Sequence, residues 1–321
     1  MYTRKLVQSG LSSLVVALPH DYIADNSLKR GDAVALERKG RTALVLSLPE
    51  QRVKQEHRVK VIEVAKRQLH LVERDIIRAY VKNYNEIIIH LDEPSQLRQI
   101  KKYITYLFAL EVVHEDNKKV IARDFLNYKD TDVQQVMRRI EHLVYSMLIE
   151  LDEIEKDPTI ADLLFERDRE VNRMGNMMMR ILWAAATNPE TAAILKIDPL
   201  MVIRMWALNM HLEKIGDEVK RTGKQLQTLH GTPYNRKKLD ALLTKVIAMY
   251  KDTFTAIHNE DFDLMDKNLD NRQELLHHFD MLMAETHELA VIEIIRYMKE
   301  MLSHLVDICR NYRYVGFKYD H

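Results

Sequence analysis

From residue 130 to residue 313 the sequence gives an α-helix few places to stop, and this constrains the fold more than any other feature. Proline and glycine are the residues that interrupt helices. Here the clear breaks are Asp157-Pro158, Asn188-Pro189, Asp198-Pro199 and Gly231 followed by Pro233. The pattern predicts six helices in two sets of three. The third lies over about 199–229, and three more over about 235–258, 260–283 and 285–313. Thr131 with Gln134 fits a capping box at the start, and Asp198-Pro199 is a cap residue followed by a first-turn proline. The third helix would run about 46 Å at 1.5 Å per residue. Two sets of three suggest an internal duplication.

The remainder of the chain is patterned differently. Residues 2–48 are short and β-like: Leu14, Val16 and Leu18 fall on one strand face, Pro19 ends the ladder, and a single helical turn fits 20–27. Val34 and Leu36 alternate between turns at Gly31-Asp32 and Lys39-Gly40. Fewer than fifty residues bury little by themselves, so this unit should pair with a second copy or pack on its neighbour. Residues 50–128 alternate strand-like pieces ("RVKVIEV", "EIIIHL") with helix-like ones ("VERDIIRAYVKNY", "SQLRQIKKYITYLF") and close on a hairpin, "LEVVHEDNKKVIARDFL". That is an α+β pattern.

Charge and composition narrow the function classes. Residues 1–82 hold 16 Lys and Arg against 9 Asp and Glu, and the rest of the chain holds 32 against 39. A basic front and an acidic rear raise the question of nucleic acid. A single cysteine, Cys309, leaves no internal disulfide and fits a reducing compartment. No apolar run reaches the ~18 residues of a membrane span and no leader opens the chain, so a cytosolic protein is expected.

The helical part carries a repeated acidic signature. In "HLEKIGDEVKRTGKQL", Glu213 and Asp217 share a helix face at i and i+4, which costs about 0.2–0.5 kcal/mol. Gly216 between them costs about 1 kcal/mol relative to alanine. A nearby cation and a close helix neighbour would offset both. The pair flanks an apolar stripe of Met201, Met205, Leu208, Leu212, Ile215 and Val219. Asp168 and Asn172 flank the stripe Val171, Met174, Met178, Ile181 and Ala185, and Asp266 and Asp270 flank Met265, Leu269, Leu276, Phe279 and Met283. The last helix, with its stripe Met298, Leu302, Leu305 and Cys309, has Lys299 and Ser303 at the equivalent flank. Carboxylates converging where helices meet suit a hard or borderline cation. Each pair taken singly reads more readily as solvated surface; the repetition at one stripe offset on three helices is what points to a site.

Three resemblances follow from these residues. "SGLSSLVVALPHDY" with "LKRGDAVAL" resembles the AbrB-type swapped-hairpin fold, in which two chains interleave hairpins into one barrel that binds DNA. That resemblance implies a homodimer and places Arg4, Lys5, Lys29, Arg30, Arg38, Lys39 and Arg41 toward DNA. "RDIIRAYVKNYNEIII" and "ALEVVHED" resemble the linker domain between AbrB-type and PhoU-type modules. "FERDREVNRM", "HLEKIGDEVKRTGKQL", "LMDKNLDNRQELL" and "IRYMKEMLSHLVDICRN" are similar to the paired motifs of the PhoU family, two three-helix repeats that regulate phosphate uptake through a transporter and a signalling kinase. The family's acidic pairs hold iron or zinc. By resemblance the first site would use Asp168, Asn172, Glu213 and Asp217, and the second Asp266 and Asp270. Because Lys299 and Ser303 replace the family's second acids, one metal site is expected, with Lys299 neutralising Asp266 or Asp270 in place of the other. Glu300, His304 and Asp307 lie close on the last helix and could form a separate site.

The expected organisation is therefore a swapped-hairpin domain over 1–49, an α+β linker over 50–128 and a PhoU-like six-helix domain over 130–321. The expected function is a dimeric DNA-binding regulator of phosphate uptake. The alternative is a protein that does not touch DNA and modulates a transporter or kinase. A di-metal enzyme wants two Glu-x-x-His elements, and this part offers only Glu274-x-x-His277. With no phosphate-binding glycine loop or nucleophile elbow, an enzyme is not expected.

Overall fold

The structure, a computed structural model, describes residues 2–39, 41–48, 57–231, 234 and 236–315, with the side chains of Glu37, Lys39 and Val315 excepted. The expected turn at Lys39-Gly40 and the stop at Pro233 involve residues outside that set. The chain divides into two compact units, Met1–Glu56 and His57–His321.

The first unit contains two separate hairpins. Strands β1 (Val7–Ser9) and β2 (Ser13–Val15) pair antiparallel around Gly10, whose φ of +76° only glycine adopts without strain. Helix α1 (His20–Asp25) follows Pro19, and β3 (Ala35–Lys39) pairs antiparallel with β4 (Ala43–Ser47). Among the described residues no closed barrel forms. The two ladders share no strand, and two strands each cannot close on themselves. Among the described side chains of 2–48 none is buried, and Leu6, Leu14, Leu36 and Leu44 are each 60% exposed or more.

The second unit has two apolar cores. In the α+β part, β5 (Val59–Glu63), β6 (Glu86–His90), β7 (Leu110–Glu115) and β8 (Lys119–Asp124) form one sheet in the order β5-β6-β8-β7. The β5–β6 pair is parallel, joined by helix α2 (Leu69–Val81), and the other pairs are antiparallel. Alternate residues of β6 and β8 (Ile87, Ile89, Val120 and Ala122) are buried, with α2 and α3 (Leu97–Thr105) supplying Val72, Ile76, Ile100 and Ile104. This is the period-two signature of a sheet with one covered face.

The helical part is made of α4 (Val133–Glu150), α5 (Ile160–Thr187), α6 (Pro189–Leu195), α7 (Pro199–Thr228), α8 (Arg236–Asn259), α9 (Phe262–Glu285) and α10 (Leu289–Val315). Helices α4, α5 and α7 pack together, as do α8, α9 and α10, and α7 against α10 joins the two sets. The apolar stripes of α5, α7 and α10 are buried nearly throughout. Two local expectations change. The cap of α4 is Asp132, which accepts from the backbone N–H of Gln134 and Gln135, whereas the Thr131 hydroxyl bonds back to the Asn127 carbonyl. Asn188-Pro189 opens the short α6 as well as ending α5, with Asn188 capping it. Among the described residues no helix is long and apolar enough to cross a membrane.

Candidate functional site

The acidic pairs of α5 and α7 do meet. Asp168 is 4% exposed at the α5–α7 contact, and the cation beside it is a side chain. Lys220 Nζ lies 2.6 Å from Asp168 Oδ2 and 2.8 Å from Asp217 Oδ1, joining the two helices through one ammonium. Asn172 Nδ2 donates to Asp168 Oδ2 at 3.4 Å. Burial pulls the Lys220 ammonium toward deprotonation, but the two carboxylates outweigh it and hold its pKa above the ordinary value. Burial pushes Asp168 above the usual carboxylate range, and Lys220 offsets only part of that. Glu213 lies at the edge of the seam, its carboxyl raised by burial and then by Asp217 and Asp168, with Lys214 opposing.

The donor set accommodates a metal only in part. Asp168 Oδ1 and Asn172 Oδ1 are buried oxygens without a hydrogen-bond partner, which is what an oxygen-ligated cation or a water would use. Lys220 nonetheless already supplies the positive charge that the sequence reading reserved for an ion. Among the described residues no three His, Cys, Asp or Glu side chains are gathered as ligands. Lys220 was legible in principle: it stands three residues after Asp217 and seven after Glu213, on the same helix face.

Gly216 is not a point of forced contact. A Cβ built there would meet Val171 Cγ1 at 3.6 Å and Asp168 Oδ1 and Val144 Cγ2 at 3.9 Å, which is ordinary packing distance. The close approach is about two turns on, at Gly223, where a Cβ would overlap Leu164 Cδ1 and sit 3.3 Å from Ile154 Cδ1.

The seam opens into a cleft of about 530 Å³ between α2 and α3 on one side and α5 and α7 on the other. Glu73, Lys102, Tyr106, Arg169, Asn172 and Glu213 are among its walls. Tyr106 donates to the Arg169 carbonyl at 2.7 Å, and burial lifts its phenol to about 12. The cleft is therefore polar, carries both signs of charge and reaches the acidic seam through Asn172 and Glu213.

A second contact between the α+β and helical parts fixes this cleft. Arg180 is fully buried in α5; its Nη2 lies 2.6 Å from Asp124 Oδ2 and its Nη1 donates to the Tyr80 carbonyl at 2.6 Å. Its guanidinium also sits 4.7 Å from the centre of the Tyr80 ring. Sequence reasoning missed it. The available signal was an arginine inside the apolar run "NMMMRILWAAA".

The second repeat departs from expectation. Lys299 Nζ pairs with Asp280 Oδ1 at 2.6 Å, not with Asp266 or Asp270. Asp266 is held instead by Arg313 Nε at 2.9 Å, and Asp270 is exposed. The reason is register. Helices α9 and α10 run antiparallel from a short connection, so residue 299 lies opposite 280 as residue 313 lies opposite 266. Reaching Asp270 would demand a shift of ten residues, about 15 Å along the helix. The buried polar group of this seam is neutral: Asn268 donates to Thr253, which contacts Cys309 at 3.5 Å.

In the first unit Arg4, Lys5, Lys29, Arg30, Arg38 and Arg41 are all exposed, while the Lys39 side chain lies outside the described residues.

No family model matches this chain. No curated protein matches it either. Among solved structures it is similar to the phosphate transport system regulatory protein PhoU from Streptococcus pneumoniae, with 16% identity and a TM-score of 0.49 over 57% of this chain and 92% of that one. It is also similar to PhoU from Pseudomonas aeruginosa, with 17% identity and a TM-score of 0.48 over 57% of this chain and 94% of that one.

Proposed function

We propose that this chain is a regulator of phosphate uptake that works by contact, its helical part engaging a phosphate transporter or the kinase that signals with it. The observation that carries the reading is the fold of the run Leu-Glu-Lys-Ile-Gly-Asp at 212–217, the most diagnostic piece of the resemblance to the PhoU family. It sets Asp217 against Asp168 across the α5–α7 contact, next to a cleft that the α+β part helps to wall. An iron or zinc ion at this seam would be held by Asp168, Asn172, Glu213 and Asp217. The test is affinity purification of the tagged full-length chain from phosphate-rich cells, together with phosphate uptake in a deletion strain. Transporter subunits or the kinase should co-purify, and uptake should lose its response to external phosphate. Unchanged uptake with neither partner recovered would overturn the reading.

A second activity, DNA binding by a dimer, is favoured by the first unit. Its two hairpins bury no described side chain, expose Leu6, Leu14, Leu36 and Leu44, and carry exposed Arg4, Lys5, Lys29, Arg30, Arg38 and Arg41. A second copy would cover the apolar faces and leave the basic residues outward. Light scattering should then give a dimer, and the affinity for duplex DNA should fall steeply with salt as phosphate contacts release counterions. A monomer that binds no DNA at low salt would remove this activity and leave the contact-based role standing.

A further inference from the structure

The α7–α10 contact, which joins the two three-helix sets, contains a histidine pair away from the carboxylate seam. His211 Nδ1 on α7 lies 3.2 Å from His304 Nδ1 on α10, with ring centroids 5.4 Å apart and planes tilted by 55°. Both rings are half-buried beside buried apolar residues. Leu208 and Ile215 flank His211 one turn away on each side and are buried, as are Met301 and Ile308 around His304. Asp307 stands three residues after His304, and its charge bears on both rings; Glu300 and Lys214 also act on His304. Asp307 has a loose ion-pair partner, Arg310, at 3.6 Å.

We propose that His211 and His304 bind a divalent metal ion of the zinc, cobalt or nickel class through their Nδ1 atoms, with water completing the shell. Imidazole nitrogens suit these ions. Two nitrogens each about 2.0–2.1 Å from a tetrahedral ion stand about 3.3–3.4 Å apart, so the observed separation needs only a small adjustment. Such an ion would clamp one three-helix set to the other. Burial lowers both imidazoles from the ordinary histidine value, and His211 adds to the effect at His304. The site shares no residue with the Asp168–Lys220–Asp217 seam and does not depend on the regulatory role proposed above.

The experiment uses the full chain, stripped of metal and titrated with Co²⁺ while visible absorption is followed, then with Zn²⁺ in competition. The variants are His211→Gln, His304→Gln and, as a control for the carboxylate seam, Asp168→Asn, each checked for helix content by circular dichroism. Wild type should develop cobalt ligand-field bands that Zn²⁺ erases, and the Asp168→Asn variant should retain the part of those bands that the histidine variants lose. Each histidine variant should lose affinity by at least about tenfold, since even outer-shell changes cost about 10–100-fold. Wild-type chain without bands, histidine variants that bind as wild type does, or binding lost only in Asp168→Asn would each overturn the proposal.

Discussion

Replacing Lys220 with methionine removes one ammonium from between two carboxylates and keeps the length of the side chain. Lys220 is 18% exposed, Asp168 6% and Asp217 23% by side chain. Removing one partner of a buried pair costs about 3–5 kcal/mol because a charge is left uncompensated. Asp217 can turn toward water whereas Asp168 cannot, so the low end, about 3 kcal/mol, applies. For a unit of this size about 2–4 °C accompanies each kcal/mol, which gives a fall in Tm of roughly 6–12 °C at pH 7, read by circular dichroism or calorimetry. The pH dependence has a definite sign. Asp168 is already raised by burial, and without Lys220 it rises further. A carboxyl raised in the folded state is tolerated when protonated and becomes costly as pH climbs through its folded pKa. The deficit of Lys220→Met should therefore be largest at pH 7 and shrink as pH approaches the unfolded aspartate value of about 3.9. Adding Asp168→Asn should restore most of the loss, because the stranded charge is then absent. Lys220→Met melting with wild type at pH 7, or showing the same deficit at pH 4.5 and pH 7, would refute the account.

Other substitutions test neighbouring features. Gly216→Ala should stabilise by up to about 1 kcal/mol, the helix-propensity gain, whereas Gly223→Ala should be neutral to destabilising by about 2 kcal/mol, because overpacking of about 1–3 kcal/mol exceeds that gain. Urea unfolding midpoints compare the two. Arg180→Met should cost about 3–5 kcal/mol by stranding the buried Asp124 carboxylate, and Arg180→Met with Asp124→Asn should recover much of it in a calorimetric double-mutant cycle. Glu213→Gln should match or exceed wild-type stability at pH 7, because burial, Asp217 and Asp168 all disfavour the ionised carboxylate. That advantage should fade as pH falls toward the unfolded glutamate value of about 4.3, as measured by denaturant midpoints across pH.

The helical part was legible because its breaks are covalent facts: Pro158, Pro189 and Pro199 mark helix starts wherever the chain is placed. The strands at 59–63 and 86–90 were equally plain from branched apolar alternation. Local rules failed where two near-equal candidates compete, as Thr131 and Asp132 do for one cap. They failed again where the answer depends on a partner helix. Sequence spacing brought Asp168 and Asp217 to one seam, but it reserved the positive charge for an ion and did not weigh Lys220, three residues after Asp217. Lys299 was placed by repeat equivalence, and antiparallel register put it opposite Asp280 instead. The meeting of His211 and His304, 93 residues apart, has no local signature at all.

Arg180 also limits how freely this chain can be taken apart. Residues 57–128 have their own sheet, their own helices and an apolar interior, and they look like an exchangeable cassette. Expressed alone, that cassette would keep Asp124 while its counter-charge stayed behind on another fragment, and the Tyr80 carbonyl would keep the Asn83 backbone N–H but lose the Arg180 donor. An insertion, swap or circular permutation that separates the α+β piece from α5 therefore breaks an electrostatic circuit, however well each half keeps its grease. Any recombination that preserves this protein must carry both ends of that circuit together.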